Sequence, residues 1–331
     1  MDNNFTPHGI NSKVRSIMKI TILTPKSEFT KTQQQTLSQL GAVTYSDSRR
    51  EYELDELKQL CSGADILAID PDNLGGFEKS PEVLPKLLDA VPSIKNLPLS
   101  TTSYGYIDKK LCLDKAIKVT NVPHYSSESV AEHAIALLLG CSKRIYLSDR
   151  RTQKGEYKLE MGHEIADKTL GIIGLGSIGQ KTAQLALGLG MKVIAYNRTQ
   201  KSMEGVELKE LDEVLAKSDY LSIHLIDSPE TTGMISKSKI SKLKRGVMIV
   251  NTASRDLVDE NALAIALKSG AVDSYALEAE DLTSAPLGKL ENAFLFKGFG
   301  WYTKEALERN KEIWVNNIVS MAQGKSTNLV S

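Results

Sequence analysis

From Lys19 the chain alternates short apolar runs with polar stretches of helical period: MKITILTP, a polar helix from Lys31 to Leu40, GAVTYSD, a helix from Glu53 to Ser62, then ADILAID. Strand and helix in regular alternation predict βαβ units, hence a parallel sheet with helices on both faces. The rhythm continues through a helix from Val83 to Ala90, the run NLPLSTTS, a helix around Lys109 to Asp114 and the strand AIKVTNV. It then changes, because SSESVAEHAIALLLGCSKRI reads as one long helix with Ser126 or Ser127 at its N-cap. After a polar stretch the alternation restarts with KTLGIIGLGSIG, MKVIAYNR, DYLSIHLI, GVMIVNTAS and AVDSYALE, which predicts a second doubly wound sheet. A last helix from Lys304 to Gln323 is expected to pack back on the first domain and make it discontinuous. The organisation is therefore two doubly wound α/β domains, one at residues 1–125 with 303–331 and a dinucleotide-binding domain at 126–302.

At 331 residues the chain exceeds the usual size of a single core, consistent with two domains. Its 41 Lys and Arg balance 41 Asp and Glu, with no long run of either sign. That pattern argues against a nucleic-acid groove or an anionic membrane surface and leaves a small-molecule partner. The three cysteines, Cys61, Cys112 and Cys141, are widely spaced and lack a CxxC pattern, against a disulfide framework or a zinc site. A reducing cytoplasm is the expected location. No apolar run approaches the ~20 residues of a membrane span, and residues 1–17 read as a loose polar leader.

The run TLGIIGLGSIGQKTAQLALGLG supplies an apolar strand, three glycines at GxGxxG spacing and an amphipathic helix. Gly174 permits the tight turn, Gly176 lets backbone approach a pyrophosphate, and Gly179 lets helix pack closely on strand. With Ser177 and Ile178 between the last two glycines, the helix start offers N–H groups and a positive dipole end to phosphates. A glycine-rich connection in an unrelated α/β protein is the plainer explanation of three such glycines. The strand before, the helix after and the second strand MKVIAYNR favour the dinucleotide site. Where an NAD site places Asp or Glu for the ribose 2′-hydroxyl, this chain has Asn197, Arg198 and Thr199, followed by Lys201. Asn197 and Thr199 can donate to a 2′-phosphate and Arg198 can pair with it, so NADP(H) is the expected cofactor, with NAD(H) the alternative.

On the segments VTNVPHYSSESVAEHAIALLL, KTLGIIGLGSIGQ, PETTGMIS, LVDENALAIALKSG and GKSTNLV, the chain resembles the D-isomer-specific 2-hydroxyacid dehydrogenases over nearly its whole length. The resemblance implies an oxidoreductase acting on CH–OH donors, with a nucleotide domain inserted in a discontinuous substrate domain and a homodimer built through the nucleotide domains. It also implies a substrate-binding Arg, an acid/base His and a Glu that hydrogen-bonds the His. All three positions depart here. Alignment on LVDENAL puts Ser254 at the Arg position and Arg255 one residue later, so on extended backbone Arg255 would point to the opposite face unless the turn is remodelled. Lys297 and Gly298 fall on the Pro-His pair.

Of five histidines, His8 lies in the leader, His133 in the linking helix, and His163 and His224 where histidine is unremarkable. His124, in the turn NVPHYS, is a candidate relocated acid/base, and Lys297 is another, since a desolvated amine can lose its proton near neutral pH. A backbone-bonded imidazole and a surface lysine are the plainer alternatives. For the acidic partner, Glu280 is preferred among Glu278, Glu280 and Asp281. Trp301 and Tyr302 replace small residues of the family. Asp70, Asp72 and Asn73 form an acidic loop expected to repel a carboxylate and suit an amine or polyol. The leading function is thus an NAD(P)-dependent oxidoreductase whose substrate differs from simple 2-keto acids. The competing one is a non-catalytic dinucleotide-binding sensor or assembly module.

Overall fold

The protein is described from a computed structural model covering residues 17–226, 228–279 and 285–330. It divides into two compact units, Met1–Pro123 with Glu308–Ser331, and His124–Leu307. No helix among the described residues is long and apolar enough to cross a membrane.

The first unit carries strands β1 (Lys19–Pro25), β2 (Ala42–Ser46), β3 (Ile66–Ala68), β4 (Asn96–Pro98) and β5 (Lys118–Thr120). They form one parallel sheet in the order β2-β1-β3-β4-β5. Helices α1 (Lys31–Ser38), α2 (Leu54–Leu60), α3 (Gly76–Ala90) and α4 (Lys109–Asp114) connect them. The second unit opens on α5 (Ser127–Ser142) and α6 (Ile145–Gln153). Its parallel strands are β6 (Thr169–Ile173), β7 (Lys192–Tyr196), β8 (Val206–Leu208), β9 (Tyr220–Ile223), β10 (Val247–Asn251), β11 (Val272–Ala279) and β12 (Ala293–Lys297). Between them run α7 (Ser177–Gly188), α8 (Leu211–Lys217), α9 (Lys237–Ile240) and α10 (Glu260–Lys268). Their order, β12-β11-β10-β9-β6-β7-β8, reverses direction between β6 and β9, which is where a doubly wound sheet binds its ligand.

The final helix α11 (Lys304–Ala322) is tied to the first unit by buried polar bonds. Trp314 Nε1 donates to Pro98 O at 2.8 Å, Asn310 Nδ2 to Ser100 O at 2.7 Å and Asn317 Nδ2 to Asn121 O at 2.8 Å. Asn310 and Asn317 close backbone carbonyls just past the ends of β4 and β5, and Trp314 adds a second donor to Pro98 O, which also accepts from Ile69 N at 3.0 Å.

Two elements differ from the sequence reading. The helix expected from Val83 begins at Gly76, after Gly75 and Gly76 at φ 85° and 83°, and it contains Pro81 and Pro85. Leu84, Leu87 and Leu88 are buried along one face. Burial of that stripe offsets the lost N–H bonds, which cost about 3 kcal/mol for an interior proline. The single helix expected through Ile145 is two, because Arg144 adopts φ 60° between α5 and α6. Its guanidinium forks onto Asp273, Nη1 to Oδ2 at 2.6 Å and Nη2 to Oδ1 at 2.8 Å, so the chain turns where that charge pair requires. The N-cap position of α5 is Ser126, whose side chain makes no capping bond.

Removing the fork leaves a partly buried carboxylate unpaired, so Arg144→Ala should lower unfolding free energy by about 2–3 kcal/mol. Urea denaturation reads this directly, and a loss below about 0.5 kcal/mol would contradict the assigned role.

Candidate functional site

The glycines of the second unit sit where their backbone requires them. Gly174 closes β6 at φ +97°, and a Cβ there would lie 2.5 Å from His224 O at the end of β9. A Cβ at Gly179 would lie 2.1 Å from Gly174 O and 3.3 Å from Ile172 Cγ2, so α7 rests directly on its own strand. Gly176 is different, since a Cβ there meets nothing within 4 Å. That opening lies at the start of α7, where Ser177 and Ile178 present a helix N-terminus. The residues present therefore fit a dinucleotide, whose phosphates Gly176, Ser177 and Ile178 would hold.

The middle of the turn is locked by side chains. Asn197 Oδ1 accepts from Leu175 N at 2.9 Å, and Leu175 O accepts from Gln180 Nε2 at 3.2 Å and Lys201 Nζ at 3.1 Å. Asn197 Nδ2 donates to Thr199 O at 2.7 Å and to Thr199 Oγ1 at 3.1 Å. Asn197 thus shapes the loop from within, with its amide occupied by Thr199, while Arg198 is exposed beside it. Positioning by Asn197 was not legible from its residue type, which suits a phosphate ligand equally well.

His224 follows β9 directly. Its Nε2 lies 2.8 Å from Ser222 Oγ, and burial pushes its pKa down to about 4. A histidine depressed in the folded state is protonated first in the unfolded chain, so its effect is to reduce stability as pH falls from ~6.5 toward about 4.

The segment after β10 is ordered by Asn251, whose Oδ1 accepts from Ala253 N at 3.0 Å and whose Nδ2 donates to Ser254 O at 2.8 Å and Tyr275 OH at 3.1 Å. Ser254 is extended at φ −144°, ψ 145°, and Arg255 opens a short 3-10 turn, Arg255–Leu257. Arg255 is not among the residues of positive φ. The turn thus carries no left-handed strain at Arg255. The guanidinium meets Glu260 with Nε to Oε1 at 3.2 Å and Nη2 to Oε2 at 2.8 Å, and the two side chains are only 15% and 12% exposed. Glu260, on the first turn of α10, was missed in the sequence because only the fold brings its carboxylate onto Arg255.

Lys297 ends β12 and is exposed, and His124 is exposed at φ 60°, its carbonyl accepting from Ser127 N at 3.3 Å. Glu280 lies outside the described residues. The structure instead brings together Glu278 and His133, with Oε2 and Nε2 3.8 Å apart. Glu278 Oε1 accepts from the backbone N–H groups of both Phe299 and Gly300, and the His133 ring packs edge-on to Phe299 at 4.9 Å. A Cβ on Gly300 would lie 2.8 Å from Glu278 Oε2, so the segment after β12 is clamped onto this carboxylate. Trp301 and Tyr302 are exposed and stack edge to face at 5.1 Å.

In the first unit the loop expected to be openly acidic is internally paired. Arg49 reaches Glu28 through Nε at 2.5 Å and Nη2 at 2.6 Å, and Asp70 and Asp72 through Nη1 at 3.0 and 3.2 Å. Lys311 Nζ lies 3.0 Å from Glu28 and within 5 Å of the Phe29 and Trp314 ring centres. Asn73 Nδ2 donates to Ser48 O and Arg50 O, so it holds backbone. Burial raises the Asp70 pKa despite Arg49. Two cations against three carboxylates leave little of the expected repulsion.

Comparison with known proteins identifies the family. Residues 135–296 match the model of the D-isomer specific 2-hydroxyacid dehydrogenase, NAD binding domain. A glyoxylate reductase of Thermococcus litoralis is 34% identical over 256 residues, 72% of this chain and 77% of that protein. A hydroxypyruvate reductase of Blautia hydrogenotrophica is 30% identical over 311 residues, 89% of this chain and 94% of that protein. The match to D-3-phosphoglycerate dehydrogenase of Mycobacterium tuberculosis, 36% identical over 68% of this chain, spans only 44% of that longer protein. Among solved structures, an acyclic imino acid reductase in complex with NADPH and D-Arg aligns at TM-score 0.79 and 28% identity, over 95% of this chain and 100% of its own. The chain belongs to the D-isomer-specific 2-hydroxyacid dehydrogenase family. Members of that family are oxidoreductases acting on CH–OH donors, and the second unit is its NAD(P)-binding Rossmann domain.

The two glycines should fail differently. Gly179→Ala forces β6 and α7 apart and should cost about 1–3 kcal/mol of stability. Gly176→Ala meets no protein atom, so stability should change by less than about 1 kcal/mol, while NADPH affinity falls at least about tenfold. Thermal unfolding and a fluorescence titration separate the two effects, and equal behaviour of the variants would contradict the assignment.

Proposed function

We propose that the chain is an NADP(H)-dependent reductase whose substrate is not a simple 2-keto acid. The observation that carries this reading is an intact nucleotide turn with exposed Arg198 beside it, next to a catalytic end where Lys297 and Gly298 replace the family's Pro-His. In this reading Arg198 pairs with the 2′-phosphate of the cofactor. When bound, the cofactor supplies a hydride. Arg255, its plane fixed by Glu260, orients the acceptor group of the substrate, and Lys297 or His124 delivers the proton. Glu280 is retained as the acidic partner. The likeness to the imino acid reductase adds imines to the substrates worth testing.

We also propose a homodimer, supported by the apolar side chains of Tyr157, Leu159 and Met161, which are 91%, 85% and 86% exposed on the second unit. A small-molecule enzyme of a reducing cytoplasm fits the same reading.

Arg198→Ala should weaken NADPH by about tenfold or more, the worth of one charge-assisted pair, and change NADH by less than about twofold. Equal losses for both cofactors would overturn the role of Arg198. Pyruvate, glyoxylate and hydroxypyruvate should turn over well below the common range of about 1–10³ s⁻¹, because a missing imidazole acid costs about 10²- to 10⁴-fold. The loss of reduced-cofactor absorbance across a panel of keto acids, aldehydes and imines measures this. Arg255→Lys should cut the best activity found at least about tenfold, since a point charge cannot replace the fork, with NADPH affinity unchanged. Ordinary turnover on pyruvate would contradict the proposal.

A further inference from the structure

Arg255 follows β10, and its charge is already matched. Nε and Nη2 donate to the two carboxylate oxygens of Glu260 at 3.2 and 2.8 Å, with both side chains mostly buried. An anion brought to this guanidinium would stand against the Glu260 carboxylate as well. Like charges at that range repel strongly where water is partly excluded. A substrate carboxylate is best held by an unmatched guanidinium, which grips it through two parallel N–H bonds.

The surrounding groups do not supply the missing positive charge. Asp256, Asp259 and Glu260 follow β10 and Glu278 lies near the end of β11, and they outnumber Arg255 and Lys297 among the described residues of these segments. The imidazole of His224, past β9, is neutral because burial pushes its pKa down to about 4. Lys297 is an exposed ammonium, and pairing at an exposed lysine contributes little orientation. Neutral donors are nevertheless present. The Ser254 hydroxyl oxygen accepts from Asp256 N at 3.2 Å, which leaves its own proton to donate. Such a donor suits an uncharged oxygen acceptor.

We propose that the substrate is an aldehyde or ketone whose reacting carbon bears no carboxylate. This substrate class rests on the reductase reading above, which it makes specific. A neutral carbonyl oxygen accepts from the Arg255–Glu260 pair or from Ser254 with no charge of its own to set against Glu260. Reduction balances with the hydride of the bound cofactor at the carbonyl carbon and one proton at its oxygen, giving an alcohol.

Pyruvate and methyl pyruvate share a reacting ketone and differ in whether a carboxylate adjoins it, so the pair isolates the charge. Saturation-transfer NMR on the protein with NADP⁺, which has no hydride to give, yields both dissociation constants. The ester should bind at least about fivefold tighter than pyruvate. Glu260→Gln, which unbalances Arg255, and Ser254→Arg, which adds a cation, should each move the ratio at least about tenfold toward pyruvate. Pyruvate bound as tightly as the ester by the unmodified protein would overturn the proposal. So would a ratio unmoved in both variants, or saturable binding of neither compound. Turnover of the ester with NADPH judges the reductase reading separately. An ester that binds with the expected preference and is not reduced would count against that reading and leave the charge assignment standing.

Discussion

The structure of the second unit depends on how closely three backbones meet at the end of β6. The carbonyl of His224 occupies the space beside Gly174, and the carbonyl of Gly174 occupies the space beside Gly179. No side chain fits at either contact. The packing holds β6, β9 and the start of α7 in one arrangement, with the open position at Gly176 beside it. A turn this tight needs internal bonding as well as small residues. Asn197, Gln180 and Lys201 supply it by taking both backbone groups of Leu175.

The other strand ends of the same sheet are organised around charge. Arg255 is gripped by Glu260, and Glu278 gathers the N–H groups of Phe299 and Gly300 with His133 alongside. Hydrogen bonds of a guanidinium to a carboxylate are worth about twice neutral ones, so Glu260 fixes the plane of Arg255. The nucleotide turn and the charge-held ends of β10 to β12 coexist within one sheet, on opposite sides of the switch point.

The alternation of apolar and polar runs was sufficient to read both parallel sheets, and glycine spacing was sufficient to read the nucleotide turn. Both are local signals. The features that escaped depend on distant partners. The break at Arg144 follows from Asp273, 129 residues away. The start of α3 at Gly76, seven residues before the expected Val83, goes with burial of Leu84, Leu87 and Leu88, which offsets Pro81 and Pro85 within the helix. Asp70 and Asp72 read as a repelling loop until Arg49 is seen to span them. The pairing of Glu278 with His133 joins two residues whose types were visible but whose proximity was not.

The proposed NADP(H) dependence requires a dinucleotide site in the second unit that is selective for the 2′-phosphate. Calorimetric titration of the unmodified protein with NADPH and with NADH, without substrate, tests it most directly. One saturable site per chain for NADPH and weaker binding of NADH are expected. No saturable binding, or NADH bound at least as tightly as NADPH, would contradict it.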